Sequence, residues 1–348
     1  RATCSARVLN SRRSRPLHRP VRRTLLKLPL LALAGWAAAR AATPPTLNFA
    51  VITTATVDET RAGWDPFFAA MRAATGLDVR GIYPATYEDV VEAIVSGMVS
   101  LAWVSNKAAL DCVERANVEV FAQMVDAAGS PGYRSLIVTR RDAPLQSLEQ
   151  LLGRPRTWRF AMGEPSSTSG SVMPSYALFV PRGIRPDEHF LAVRRGTHAE
   201  TVEAVLSGAS HAGTYNTEEM TRLRERSPQR HAQLRVLWES AMIPKDPLLW
   251  RRDLPLSVRR RVADHIFGYG KTPEERAVLK RMFDLAGFQR SSNQQLKFVL
   301  DIEDFKQRSE VLLDTTMSEA QKSERLADLR ERYARLSRAV QAPAGDAR

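Results

Sequence analysis

Cysteine is almost missing from this 348-residue chain, which carries Cys4 and Cys112 and no others. Cys4 falls in a segment read below as removable, so Cys112 has no partner for an intramolecular disulfide. That excludes a small cross-linked scaffold, and a lone cysteine cannot anchor a zinc cluster. The six histidines, His18, His189, His198, His211, His231 and His265, form no His-Glu-x-x-His pair, and no Gly-x-Ser-x-Gly elbow is present. Gly270-Lys271-Thr272 lacks the glycine that a phosphate-binding loop needs five residues earlier, where His265 stands. Thr272, Pro273 and Glu275 read instead as a capped helix start. The longest apolar stretch is too short and too weak to span a bilayer. The absences predict a chain that is not an enzyme and holds no cofactor or metal.

Charge of one sign is in excess. The formal net charge is +13, which would suggest nucleic acid if it covered a folded body. Ten of the basic residues, from Arg1 to Arg40, lie in residues 1–41 without a single acid, which leaves 13 − 10 = +3 for the rest. No nucleic-acid partner is expected. Residues 1–41 read as an export signal: a basic region, the modest apolar stretch from Leu25 to Trp36, and Ala39-Arg40-Ala41 as a small-x-small cleavage site before Ala42. Arg22-Arg23 ahead of that stretch resembles a twin-arginine signal. The expected compartment is the periplasm.

With 44% hydrophobic residues, the remainder can build two lobes. Leu47–Ile52 reads as a buried strand. Trp64, Phe67, Phe68 and Met71 then fall on one face of a helix that Gly76 closes. Leu77–Tyr83 and Leu101–Val104 read as further strands, separated by a helix capped by Thr86 and ended near Gly97, and Asn106 reads as the cap of the next helix. The pattern restarts with strand Ser135–Thr139, helix Ser147–Leu152 and strand Trp158–Met162. Glu92-Ala93-Ile94-Val95-Ser96-Gly97 is echoed 111 residues later by Glu203-Ala204-Val205-Leu206-Ser207-Gly208, the mark of an internal duplication. Alternating strands and helices predict an α/β architecture. We place lobe 1 at 46–135, lobe 2 at 136–247 and a return to lobe 1 at 248–304, with Pro244-Lys245-Asp246-Pro247 near the crossing. A C-terminal helical extension covers 305–341. Its Leu326, Leu329, Tyr333, Leu336 and Val340 form a seam for the chain's own body or for a homodimer.

Gly163-Glu164-Pro165-Ser166-Ser167-Thr168-Ser169-Gly170 follows a strand and opens a helix at 169–180. Free N–H groups, the peptide dipoles and three hydroxyls at such a start suit a tetrahedral oxyanion, although a plain structural cap has the same composition.

Across about residues 46–310 the chain resembles the phosphonate-binding proteins of bacterial phosphonate importers. The resemblance is carried by Glu119-Val120-Phe121-Ala122-Gln123, Gly129-Ser130-Pro131-Gly132-Tyr133, Ser167-Thr168-Ser169-Gly170, Asn216-Thr217-Glu218, Ile243-Pro244-Lys245-Asp246-Pro247 and Tyr269-Gly270-Lys271-Thr272-Pro273-Glu274-Glu275. It implies a two-lobed, type II-like periplasmic binding protein with a ligand cleft between the lobes and an ABC permease as partner. It also implies that Ser167, Thr168, Ser169, Tyr87, Tyr133 and His198 hold a phosphonate group, and that Glu218 and Asp246 hold a ligand ammonium. Taken singly, each has a plainer reading. Tyr87 suits an exposed first turn, Tyr133 packing over a strand start and His198 a helix cap; Glu218 suits a solvated face and Asp246 a turn. The chain departs from the family pattern at Val104-Ser105, Ser100 and His211.

The charges bear on the ligand. Two carboxylates in a cleft that also takes a phosphonate repel that anion unless a cation lies between them, and a zwitterion such as 2-aminoethylphosphonate brings one. The alternatives are another oxyanion (phosphite, phosphate or an alkylphosphonate) or a sensor that reports ligand to a membrane receptor.

Overall fold

The first sheet of the computed structural model, which describes residues 46–342, is built from strands far apart in sequence. Residues 1–45, which include the expected export signal, and residues 343–348 lie outside the described residues. Strands β1 (Thr46–Val51), β2 (Asp78–Ile82) and β3 (Leu101–Trp103) run parallel, linked by helices α1 (Val57–Thr75) and α2 (Tyr87–Val95). Helix α3 (Asn106–Arg115) leads to β4 (Val118–Asp126). The chain then builds a second sheet before β10 (Pro247–Arg251) and β11 (Leu285–Arg290) complete the first, giving the order β11-β4-β10-β3-β1-β2.

The second sheet has the order β7-β6-β8-β5-β9. Its strands are β5 (Gly132–Arg140), β6 (Arg159–Gly163), β7 (Ala192–Gly196), β8 (Ala212–Asn216) and β9 (Leu234–Pro244), with helices α4 (Leu148–Leu152), α5 (Pro186–His189), α6 (His198–Leu206), α7 (Thr217–Arg226) and α8 (Pro228–Ala232) between them. The chain passes between the sheets at 127–131 and again at 245–246. The strands flanking these passages, β4 with β10 and β5 with β9, are antiparallel partners, so the two crossings lie side by side.

The inner strands β1, from Phe49 on, and β3 are buried on both faces, which explains their short continuous apolar runs. Phe49, Trp64, Phe67, Phe68 and Met71 pack with Trp103 in the core of the first sheet. The face α1 offers to it is the one its i, i+3, i+4, i+7 spacing defines. In the second sheet the alternation of β5 splits the core: Ile137 packs with Phe160, Phe179 and Phe190 on one face, Leu136 and Val138 with Val202, Val205 and Tyr215 on the other.

The echo 111 residues apart is a shared structure. Helices α2 and α6 are nine residues each, are capped by Thr86 and Thr197, and end at Ser-Gly pairs whose glycines, Gly97 and Gly208, both adopt φ 78°. One cap differs from expectation: Ser105, not Asn106, caps α3, its Oγ accepting from Ala108 N at 3.0 Å. Asn106 is then free to turn its amide toward the crossing.

Helices α9 (Leu256–Gly268) and α10 (Pro273–Phe283) cover the first sheet, and Thr272 and Glu275 form the expected capping box. Helix α11 (Lys297–Leu313) packs on α3 and on the helical residues 168–182, and α12 (Glu319–Gln341) packs on α11. Leu329, Leu336 and Val340 of the seam are buried against this same chain.

Candidate functional site

A narrow cavity of about 10 Å³, room for roughly one water, lies where the two sheets face each other at the crossings. All eight residues singled out from the sequence line it: Tyr87, Tyr133, Ser167, Thr168, Ser169, His198, Glu218 and Asp246. Thr54, Trp103, Ser105, Asn216, Glu219 and Phe283 complete the wall.

The serine-threonine run ends β6 and opens a helix, as its composition suggests, but the first turn is π-helical, from Thr168 to Val172. Ser167 caps it, its Oγ accepting from Gly170 N at 3.0 Å, while the N–H groups of Thr168 and Ser169 fall at the first two positions, where a helix offers no internal acceptor. Gly163 and Gly170 let strand and helix approach closely: a Cβ on Gly163 would stand 2.5 Å from Gly170 Cα. Asn216 Nδ2 donates to Ser169 Oγ at 3.4 Å, and Ser169 Oγ lies 3.2 Å from His198 Nε2. Burial lowers the His198 pKa, so the ring is held neutral, and its Nδ1 has no hydrogen-bond partner among the described residues. Trp103 Nε1 is likewise buried without a partner among the described residues.

The duplication explains two of these positions. Tyr87 is the first residue of α2 and His198 the first of α6, so the repeat places both at corresponding helix starts, and both are buried. The exposed-turn reading of Tyr87 and the cap reading of His198 are therefore set aside; Thr197 is the cap. Burial raises the Tyr87 and Tyr133 pKa values well above the ordinary phenol, and the nearby Asp246 carboxylate adds to this, so both are neutral hydroxyls.

Asp246 sits on the second crossing. Tyr133 Oη donates to its Oδ1 at 2.9 Å and Asn106 Nδ2 at 3.2 Å, both neutral donors. Burial, then the Glu218 carboxylate, pushes its pKa well above the usual range. Glu218 differs, and here the charge argument from sequence needs correction. Lys245 Nζ donates to Glu218 Oε1 at 2.5 Å and to Asp126 Oδ2 at 2.8 Å, so one cation already stands among the carboxylates. The spacing of the acids along the chain gave no sign of it. The neighbouring Glu219 is more buried than Glu218 and pairs with Arg222.

Polar contacts close the cavity between the two halves. Glu164 at the end of β6 accepts from Tyr87 N at 2.8 Å, Thr168 Oγ1 accepts from Lys107 N at 2.9 Å, and Ser105 Oγ donates to Ser166 O at 2.6 Å. The arrangement sets hydroxyl and N–H donors at the helix start across a narrow space from the carboxylates at the crossing. Among the described residues no group of His, Cys, Asp and Glu is placed to hold a metal ion.

Comparison with known proteins gives the same reading. The family model described as ABC transporter, phosphonate, periplasmic substrate-binding protein matches residues 49–296. The chain belongs to this family. It is 33% identical over 292 residues to the phosphonates-binding periplasmic protein of Escherichia coli, covering 84% of this chain and 86% of that one. The crystal structure of a binding protein component of an ABC phosphonate transporter from Pseudomonas aeruginosa superposes with a TM-score of 0.80 at 34% identity, covering 85% of this chain and 97% of that one. A Prochlorococcus marinus protein solved in complex with methylphosphonate has the same fold, with a TM-score of 0.66, 21% identity, and 74% and 96% coverage. As a family member the chain is a periplasmic binding component that works with an ABC permease and is not an enzyme.

Proposed function

We propose that the ligand is an aminoalkylphosphonate, with 2-aminoethylphosphonate as the reference compound, bound with its phosphonate at Ser167, Thr168, Ser169, Tyr87, Tyr133 and His198 and its ammonium at Asp246 and Glu218. The observation that carries this reading is Asp246: a carboxylate 8% exposed, in a narrow cavity, held by two neutral donors and in no ion pair among the described residues. A buried acid so placed favours a ligand that brings a cation. At the helix start the uncapped N–H groups are donors suited to an oxyanion, and the Ser169–His198 contact leaves one further donor: the Ser169 hydroxyl when His198 Nε2 carries the ring proton, or Nδ1–H when Nδ1 carries it.

In this reading the lobes expected at 46–135 with 248–304 and at 136–247 meet at the paired crossings. These fall slightly earlier, at 127–131 and 245–246, so that β5 belongs wholly to the second lobe and Pro247 to the first. The cleft closes on ligand about these crossings and the closed form is presented to the permease. Residues 1–41 direct export and are cleaved near Ala41. Delivery to a permease, rather than sensing, is the family role.

A second reading has an observation in its favour. Lys245 compensates Glu218 from within the protein, which suits phosphite, phosphate or an alkylphosphonate better than two uncompensated acids would. Calorimetric titration of the mature protein with 2-aminoethylphosphonate, methylphosphonate and phosphate separates the two. Clear preference for the amino ligand is expected; equal affinity for all three would overturn the role of the carboxylates.

A further inference from the structure

Lys245 occupies the two-residue passage between β9 and β10, and its side chain is only 3% exposed. Its carbonyl accepts from Gln123 Nε2 at 3.0 Å and Gln295 Nε2 at 3.2 Å, so the backbone that carries the ammonium is pinned. The ammonium joins Asp126, the last residue of β4 in the first sheet, to Glu218, at the start of α7 beside the second sheet. Glu218 lines two spaces at once. One is the closed ligand cavity; the other is a larger cleft of about 650 Å³ whose walls include Asp126, Lys245 and Arg222. Lys245 lines only the outer cleft, so Glu218 stands between the ammonium and the ligand.

We propose that Lys245 is a specificity-determining residue: it supplies from the protein the positive charge that Glu218 would otherwise demand of the ligand, and so admits phosphonates that lack an amine. The inference rests on the assignment of Glu218 to the ammonium end made above. A carboxylate taken out of water without a partner is costly, and a ligand cation relieves that cost. Here the relief is present before any ligand arrives. An incoming ammonium has to share Glu218 with Lys245 and gains less from it, while a ligand with no ammonium leaves Glu218 paired. Asp246, whose donors are neutral, keeps its preference for a cation. Discrimination for the amine is carried by Asp246 and moderated by Lys245. The titration shifts agree with a partial relief: Glu218 and Asp126 raise the Lys245 pKa against burial, burial still raises that of Glu218 although Lys245 lowers it in part, and Asp246 is raised well above the usual range.

The test is calorimetric titration of 2-aminoethylphosphonate and of methylphosphonate into the mature protein and three variants. Lys245→Met should raise the ratio of the methylphosphonate Kd to the amino-ligand Kd by about tenfold or more, mainly through weaker methylphosphonate binding. Because Lys245→Met leaves two acids uncompensated and could impair folding, Asp126→Asn/Lys245→Met removes one of them and should show the same rise. Asp126→Asn alone, which keeps the buried cation and gives it wholly to Glu218, should lower the ratio. A ratio unchanged across these variants, in a protein that still binds both ligands, overturns the role of Lys245. If the parent protein binds neither ligand, the ligand assignment falls, and this inference with it.

Discussion

Replacing Ser169 by alanine tests the phosphonate end of the site with the fewest side effects. The side chain is buried, its Oγ touches His198 Nε2 and Asn216 Nδ2, and its removal deletes one hydroxyl without altering charge. The carbonyl of Ser169, which accepts from Ser135 Oγ at 2.6 Å, is left in place, so the link between the helix start and β5 persists. A hydrogen bond to a charged group contributes about 1.5–3 kcal/mol, against about 1 for a neutral pair. Losing one to a phosphonate oxygen therefore predicts a Kd raised roughly 10- to 150-fold. The neutral contacts to His198 and Asn216 disappear at the same time, a loss confined to the protein and expected to lower stability by about 1 kcal/mol in urea unfolding. The assay is calorimetric titration with 2-aminoethylphosphonate and methylphosphonate. Both ligands carry the phosphonate, so both should weaken by the same factor. An unchanged Kd, or weakening confined to the amino ligand, would refute the placement of the phosphonate at Ser169.

Asp246→Asn should show the complementary pattern, weakening the amino ligand by about tenfold or more and methylphosphonate little, in the same titrations. Glu164→Gln removes the carboxylate at the start of α2 that links the two halves, and should weaken both ligands about two- to fivefold through a less stable closed form. His198 bears on pH. Its folded pKa lies below the ordinary 6.5, so the folded state binds fewer protons than the unfolded one, and its contribution to stability is lost as pH falls below 6.5. Without ligand, the fall in Tm between pH 7.5 and 5.5 should be shallower in His198→Gln; an equal fall would show that His198 is not buried in solution. Gly163→Ala places a methyl against the backbone of Gly170, and should destabilise by about 1–3 kcal/mol in urea unfolding.

Periodicity and caps located much of the fold in advance, because those signals are local. The face of α1, the Thr86 and Thr272 caps and the duplicated ends of α2 and α6 were all readable, since each depends on residues within two turns of one another. Strands β4 and β9 were not assigned: their pairing with β10 and β5 is antiparallel and distant in sequence, and their apolar residues do not alternate cleanly. Asn106 was read as a cap because its side chain suits one, whereas Ser105 performs that task and Asn106 holds Asp246.

The same division runs through the site. The sequence by itself determined which residue types were available: hydroxyls at a helix start, two tyrosines, a histidine and two acids, in strings that resemble one family. Their convergence on one cavity was decided by the two chain crossings, which bring Tyr133 and Asp246 against helix starts from both sheets. Only tertiary structure showed Trp103, Glu219 and Asn216 in the same wall, or Lys245 behind Glu218. An ion pair between residues 27 apart, at the end of one strand and the start of a helix, leaves no trace in spacing or composition. Its existence depends on how two sheets meet, and under the proposed ligand assignment it sets how much charge the ligand must bring.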